Sequence, residues 1–201
     1  DFLRRRMPRV NVYYAMKANP APRIMETLAR RGASFDTASA GEIETLARMG
    51  IPGTRMIYAN PVKTPQGMAA AAQFGVRRFT FDDRSEIGKM AAAVPGAEVL
   101  VRVRVKNQKA LVDLNAKFGA EPEAALPLLR EAQEAGLSPV GLCFHVGSQS
   151  LSLEAYHDAL LLMRRLFDEA AAAGMPLSLL DIGGGFPIPT ADGGHPDAGG
   201  L

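Results

Sequence analysis

A lysine, a histidine and a run of glycines carry the chemistry this chain advertises. Lys17 follows a β-rich run, Val10-Asn11-Val12-Tyr13-Tyr14, and precedes the turn-forming pair Asn19-Pro20. A lysine partly withdrawn from water keeps its amine accessible and forms Schiff bases with aldehydes. The competing reading is an ordinary solvated lysine. His145 stands in Phe144-His145-Val146-Gly147-Ser148, with a hydroxyl three residues on; a satisfied core histidine is its competing reading. Gly183-Gly184-Gly185 closes the apolar stretch Leu179-Leu180-Asp181-Ile182 and leads into Phe186-Pro187. A loop without Cβ atoms lets backbone N–H groups approach a phosphate. A flexible connection would look the same.

The elements that must position these residues repeat one unit: short apolar strand, turn, alanine-rich helix, glycine. Strands are expected at Val10–Ala15, Ser34–Thr37, Met56–Ala59, Arg78–Phe81, Glu98–Val105, Val140–His145 and Ser178–Ile182. Helices between them end at Gly32, Gly50, Gly75, Gly96, Gly136 and Gly174, as helix C′ glycines do. Ser39 with Glu42 forms a capping box, Asp83 with Glu86 suggests another, and Pro65 suits the first helical position after Thr64. Strand–helix alternation in units this short predicts a parallel (β/α)8 barrel lacking its last strand. An open doubly wound sheet is the alternative.

Barrel enzymes work at the C-terminal ends of their strands. There this chain places Lys17, Asp36, Asn60, Asp82 and Asp83, Arg102 and Arg104, His145, Ser148 and the glycine triplet. A Schiff-base lysine beside a phosphate cradle points to pyridoxal 5′-phosphate (PLP), with His145 against the ring and Ser148 on the phosphate. Arg102 and Arg104 alternate with Val101, Val103 and Val105, so they share one face, and at least one needs an anionic partner. Glu42 is explained by the capping box alone.

Composition excludes several other classes. The chain has 201 residues, a 47% hydrophobic fraction and a formal charge of +2, with its basic residues scattered. That gives no support for a nucleic-acid partner. No apolar run approaches the ~20 residues of a membrane span, and the single cysteine, Cys143, fits a reducing, cytoplasmic setting. Arg4-Arg5-Arg6 is not followed by a signal-peptide core.

Tyr14-Ala15-Met16-Lys17-Ala18-Asn19 resembles the cofactor-lysine motif of the fold-type III pyridoxal-phosphate decarboxylases. Phe35-Asp36-Thr37-Ala38-Ser39, Tyr58-Ala59-Asn60-Pro61, Thr80-Phe81-Asp82, Lys117-Phe118-Gly119, Phe144 to Ser148 and the glycine stretch match in the same order. The pattern is most similar to the ornithine decarboxylase branch. The resemblance implies an alanine racemase-like barrel in which Lys17 holds PLP as a Schiff base and His145 stacks on its ring. Ser148, Gly183, Gly184 and Gly185 would bind the phosphate, while Asp36, Glu42 and Arg102 support the lysine and ring. It implies decarboxylation of a basic amino acid, ornithine first, in polyamine biosynthesis, by a homodimer of the full-length protein. Diaminopimelate, lysine or arginine are alternative substrates, and a non-catalytic regulatory homologue or a single-domain cofactor carrier are alternative readings.

The family's eighth strand, its C-terminal β-domain and the cysteine that donates a proton have no counterpart here; Cys143 is read as packing. Residues 1–189 are therefore expected to form a partial barrel and 190–201 a Gly-rich tail, inactive without the missing part. The segment Lys106-Asn107-Gln108-Lys109 is more basic than an ornithine enzyme would suggest. No metal site is expected.

Overall fold

The computed structural model describes residues 5–105, 117–150 and 152–186. Seven strands, β1 (Tyr13–Ala15), β2 (Ser34–Thr37), β3 (Met56–Tyr58), β4 (Arg78–Phe81), β5 (Glu98–Arg102), β6 (Ser138–Cys143) and β7 (Leu179–Asp181), form one sheet. Six helices connect them: α1 (Pro22–Arg30), α2 (Ala40–Arg48), α3 (Pro65–Gln73), α4 (Ser85–Ala93), α5 (Ala125–Glu134) and α6 (Leu153–Ala172). Every strand is parallel to the next in chain order, from β1 to β7. A doubly wound sheet would reverse its order at a switch point. None occurs among the described residues, so this is the (β/α)8 arrangement, with seven strands described.

Local signals explain most boundaries. The Ser39 hydroxyl accepts the Glu42 N–H at 3.3 Å, and the Glu42 carboxylate accepts the Ala38 N–H at 2.6 Å. Thr64 caps α3 by accepting the Gly67 N–H at 3.1 Å, with Pro65 in the first helical position. The expected box at Asp83 and Glu86 forms only halfway. Asp83 accepts the Ser85 N–H, but Glu86 turns inward, because the fully buried Lys63 ammonium needs a counter-charge. All six helix-ending glycines adopt positive φ. At Gly96, however, α4 has already ended at Ala93, and the glycine turns the chain into β5 instead.

Strand ends move where pairing changes. β5 stops at Arg102 rather than Val105, because Val103 bridges to Ala120. β6 starts two residues earlier than expected, at Ser138, and ends at Cys143, with a register shift at Val99/Leu100 opposite. β1 is only three residues, although the Val12 carbonyl still accepts the Ser34 N–H.

The sheet has two buried faces. Phe35, Phe79, Phe81 and Phe144 point outward into a core shared with helix residues such as Ile43 and Met163. Ile57, Leu100 and Cys143 form the inner layer, packed with Tyr13, Ala59 and Leu179. Below that layer Arg78 joins the Tyr13 hydroxyl at 2.8 Å to the Glu98 carboxylate, closing the N-terminal end. The C-terminal end is left for chemistry, as in barrel enzymes. No described helix is long and apolar enough to cross a membrane. The expected tail at 190–201 and the basic segment 106–109 lie outside the described residues.

Candidate active site

One cavity, about 130 Å³, opens above the inner layer and is lined by Lys17, Asp36, Arg102, His145, Asp181 and Gly183, among others. These residues come from strands that are distant in sequence but adjacent in the sheet. Lys17 occupies a 3-10 turn, Met16–Ala18, directly after β1. Fully buried Met16 anchors that turn, and the Asn19 side chain accepts the Ala21 N–H at 3.0 Å to close it. Lys17 itself is exposed, because β1 is the edge strand and has β2 as its only neighbour among the described residues.

Burial dominates the titration of the groups opposite. It raises the Asp36 carboxyl to about 7, against the pull of the nearby Lys17 ammonium. It raises Asp181 as well, opposed by a hydrogen bond from the Gly183 N–H and by Arg102. His145 is pushed down to about 4, first by burial and then by the positive charges of Arg102 and Lys17. Its Nδ1 accepts the Gly147 N–H at 2.9 Å, so the neutral ring carries its proton on Nε2. Cys143 is buried and its thiol pushed well up, so it serves as packing, as its position in the sequence suggests.

The two arginines part company. Arg104 is exposed and pairs with Glu121 at 2.6 Å. Arg102 lines the cavity with its guanidinium 5.1 Å above the Phe118 ring, and its Nη2 is buried without a hydrogen-bond partner among the described residues. An unmatched buried donor costs about 1–3 kcal/mol, which marks it as waiting for an acceptor. Phe118 is held in turn by Asp82, whose carboxylate accepts the Gly119 N–H at 2.7 Å. Asp82 is thus a supporting residue whose task only the fold reveals.

The glycine triplet wraps the edge of His145. A Cβ at Gly183 would lie 2.5 Å from the Phe144 carbonyl oxygen, and one at Gly185 would lie 1.9 Å from that of Gly147. Asp181 Oδ1 takes the Gly183 N–H at 2.7 Å, and the Gly185 carbonyl accepts from the Ser150 N–H at 2.8 Å. Among the described residues the N–H groups of Gly184 and Gly185 have no acceptor. Of the expected phosphate ligands, Gly183 has therefore already committed its N–H, and the two following glycines present theirs. Ser148 is half-buried on the loop between His145 and Ser150, outside the cavity lining. Glu42 is engaged by the Ala38 N–H, and adds negative charge near Asp36. Tyr156, which no motif in the sequence singles out, donates from its hydroxyl to the Gly184 carbonyl at 2.9 Å. No group of residues suited to a metal ion occurs among the described residues.

The family model of the pyridoxal-dependent decarboxylase pyridoxal-binding domain matches residues 2–198. The lysine/ornithine decarboxylase of Selenomonas ruminantium is 64% identical over 193 residues, covering 96% of this chain and 49% of that protein. Ornithine decarboxylase of Mus musculus is 41% identical over 181 residues, covering 90% and 39%. A crystal structure of a mutant of the Selenomonas ruminantium enzyme in complex with PLP superposes with a TM-score of 0.93 at 64% identity, over 96% of this chain and 50% of that one. The Paramecium bursaria Chlorella virus arginine decarboxylase superposes at 0.88 with 34% identity, over 92% and 50%. The chain spans half or less of the length of these relatives. A sequential parallel barrel, a lysine and histidine on its rim and a matching family model over nearly every residue lead to one statement: the chain belongs to the pyridoxal-binding domain family of the pyridoxal-dependent decarboxylases.

Proposed function

We propose that this chain is the cofactor-binding barrel of a PLP-dependent decarboxylase of a basic amino acid, with ornithine as the first substrate and lysine as the second. The observation that carries the reading is Arg102: its buried Nη2, unpaired among the described residues, belongs to a side chain lining the same cavity as Lys17, Asp36 and His145. The residues present fit PLP. A flat neutral imidazole, with N–H groups on Gly184 and Gly185 and a guanidinium donor that are unpaired among the described residues, suits an aromatic ring that carries anionic groups. Lysine enters because a 64% identical relative is named for both lysine and ornithine.

Lys17 would hold PLP through its amine, His145 would face the ring, and Gly184, Gly185 and Ser148 would hold the phosphate. When bound, PLP supplies an aldehyde for Schiff-base formation and an electron sink for the electrons released with CO₂. Asp36, held near neutrality by burial, can keep or release a proton beside the Lys17 amine. His145 stays uncharged, so it offers its face and Nε2–H without a competing positive charge. Arg102 and Asp181 fix the remaining polarity of the cavity floor, and Cys143 stays protonated and silent.

The test uses the native-length protein. Addition of PLP should give the visible absorbance of a lysine adduct, Lys17→Ala should abolish it, and labelled CO₂ should be released from ornithine or lysine. Absorbance that survives in Lys17→Ala, or no CO₂ from any basic amino acid, overturns the reading.

A further inference from the structure

Tyr156 lies in the first turns of α6, four residues after its cap, where the Ser152 hydroxyl accepts the Ala155 N–H at 3.2 Å. An aromatic residue at that spacing would normally serve the helix's apolar stripe. Here its half-buried ring packs against the core and also stacks on Phe186, with centroids 5.2 Å apart and planes within 5°. Its hydroxyl donates to the Gly184 carbonyl at 2.9 Å. Burial pushes that phenol's pKa up, so it remains a donor.

The consequence follows from peptide geometry. No described peptide bond is cis, and in a planar trans unit the C=O of one residue and the N–H of the next point in opposite directions. Drawing the Gly184 carbonyl toward Tyr156 therefore turns the Gly185 N–H the other way. That N–H has no acceptor among the described residues. The neighbouring tethers act elsewhere: Asp181 holds the Gly183 N–H, and the Ser150 N–H holds the Gly185 carbonyl. The Gly184–Gly185 peptide plane is set by Tyr156.

We infer that Tyr156 is a positioning residue that aims the Gly185 N–H at the phosphate of the cofactor. Three consecutive glycines have the widest conformational choice of any tripeptide, and an anion binding to a loose triplet would bear the cost of ordering it. A hydroxyl tether and a stacked ring remove that cost before the ligand arrives. The inference rests on the PLP reading above.

The experiment compares Tyr156→Phe with the wild type in the native-length protein, titrating the cofactor-free form with PLP and with pyridoxal, which lacks the phosphate. The readout is the dissociation constant of each from the visible absorbance of the lysine adduct, alongside the thermal melting midpoint. Loss of one orienting hydrogen bond should weaken PLP roughly tenfold while leaving pyridoxal within about twofold. The melting midpoint should stay close to that of the wild type. If PLP and pyridoxal weaken together, or neither changes, Tyr156 is packing and the inference is overturned. Should the phenylalanine variant fold poorly, Tyr156→Met is read by the same ratio. A wild type that binds PLP no better than pyridoxal removes the phosphate site itself, and the PLP reading falls with it.

Discussion

The Gly147 N–H donates to Nδ1 of His145 at 2.9 Å, two residues back along the same loop. That bond fixes the tautomer, and burial with the charges of Arg102 and Lys17 fixes the charge, by lowering the imidazole from 6.5 to about 4. In the cofactor-free protein, nitrogen NMR should show His145 as the neutral Nε2–H form until the pH approaches 4. A folded value below the unfolded one means that the unfolded chain takes the proton first as pH falls. The stability His145 contributes is therefore complete above pH 6.5 and lost as pH falls toward 4. Asp36 runs the other way, from 3.8 unfolded to about 7 folded, so its contribution is complete below 3.8 and lost as pH rises through about 7. Denaturation across this range should show opposite changes in pH slope for His145→Gln and Asp36→Asn. Slopes that change with the same sign would contradict this electrostatic picture of the cavity.

The three glycines make unequal demands. Gly183 and Gly185 have φ of 68° and 87°, and a Cβ on either would collide with backbone carbonyl oxygen. Gly184 would bring a Cβ no closer than 3.9 Å, to His145 Nε2. Gly183→Ala and Gly185→Ala should each cost more than about 3 kcal/mol or abolish folding, because strain and steric overlap add. Gly184→Ala should stay within about 1 kcal/mol of the wild type and keep an N–H that has no acceptor among the described residues. Thermal melts of the three variants check the ranking.

Some of this site is readable from the residues and some is not, for a physical reason. Lys17 stands out because a β-rich run must end at Asn19-Pro20, which puts the lysine on a strand's C-terminal rim. The sequential sheet follows from strand–helix units too short for much else. Signals carried by distant partners are silent. Glu86 sits correctly for a capping box, but its partner Lys63 is 23 residues away, and only the fold brings them together. Arg102 and Arg104 look alike by alternation, and only the fold separates the half-buried one in the cavity from the exposed one paired with Glu121. Tyr156 carries no signal in the sequence, because the carbonyl it holds lies 28 residues on.

Arg102 separates stability from function. Its buried Nη2 has no partner among the described residues, which leaves an unmatched donor there in the cofactor-free fold. Arg102→Met should leave the cofactor-free melting midpoint unchanged or raise stability by about 1 kcal/mol, since removing an unsatisfied group offsets the lost stacking on Phe118. The same change should lower PLP affinity or kcat/KM at least roughly tenfold, the loss expected for one charge-assisted contact. Asp36 and Asp181 would also titrate higher, because Arg102 lowers both. A large loss of cofactor-free stability with unchanged cofactor affinity would show that Arg102 is structural.

Lys63 makes the opposite prediction. Its side chain is fully buried, and its ammonium donates to the carbonyls of Thr80 at 2.6 Å, Pro61 at 2.8 Å and Asn60 at 3.2 Å, with Glu86 at 3.4 Å. Three carbonyl acceptors call for three protons, so the geometry holds the charged form. All three carbonyls belong to residues that line the cavity. Lys63→Met should cost about 3–5 kcal/mol, the usual loss when one partner of a buried pair is removed. Pairing it with Glu86→Leu should recover part of that loss, giving a coupling above about 1 kcal/mol in a double-mutant cycle. Burial also lowers Lys63 from 10.5 to about 8. Between those values the unfolded chain binds the proton more tightly, so the contribution of this group to stability rises with pH from about 8 to 10.5. Lys63→Met should lack that rise, and a variant that kept it would place its origin in another group.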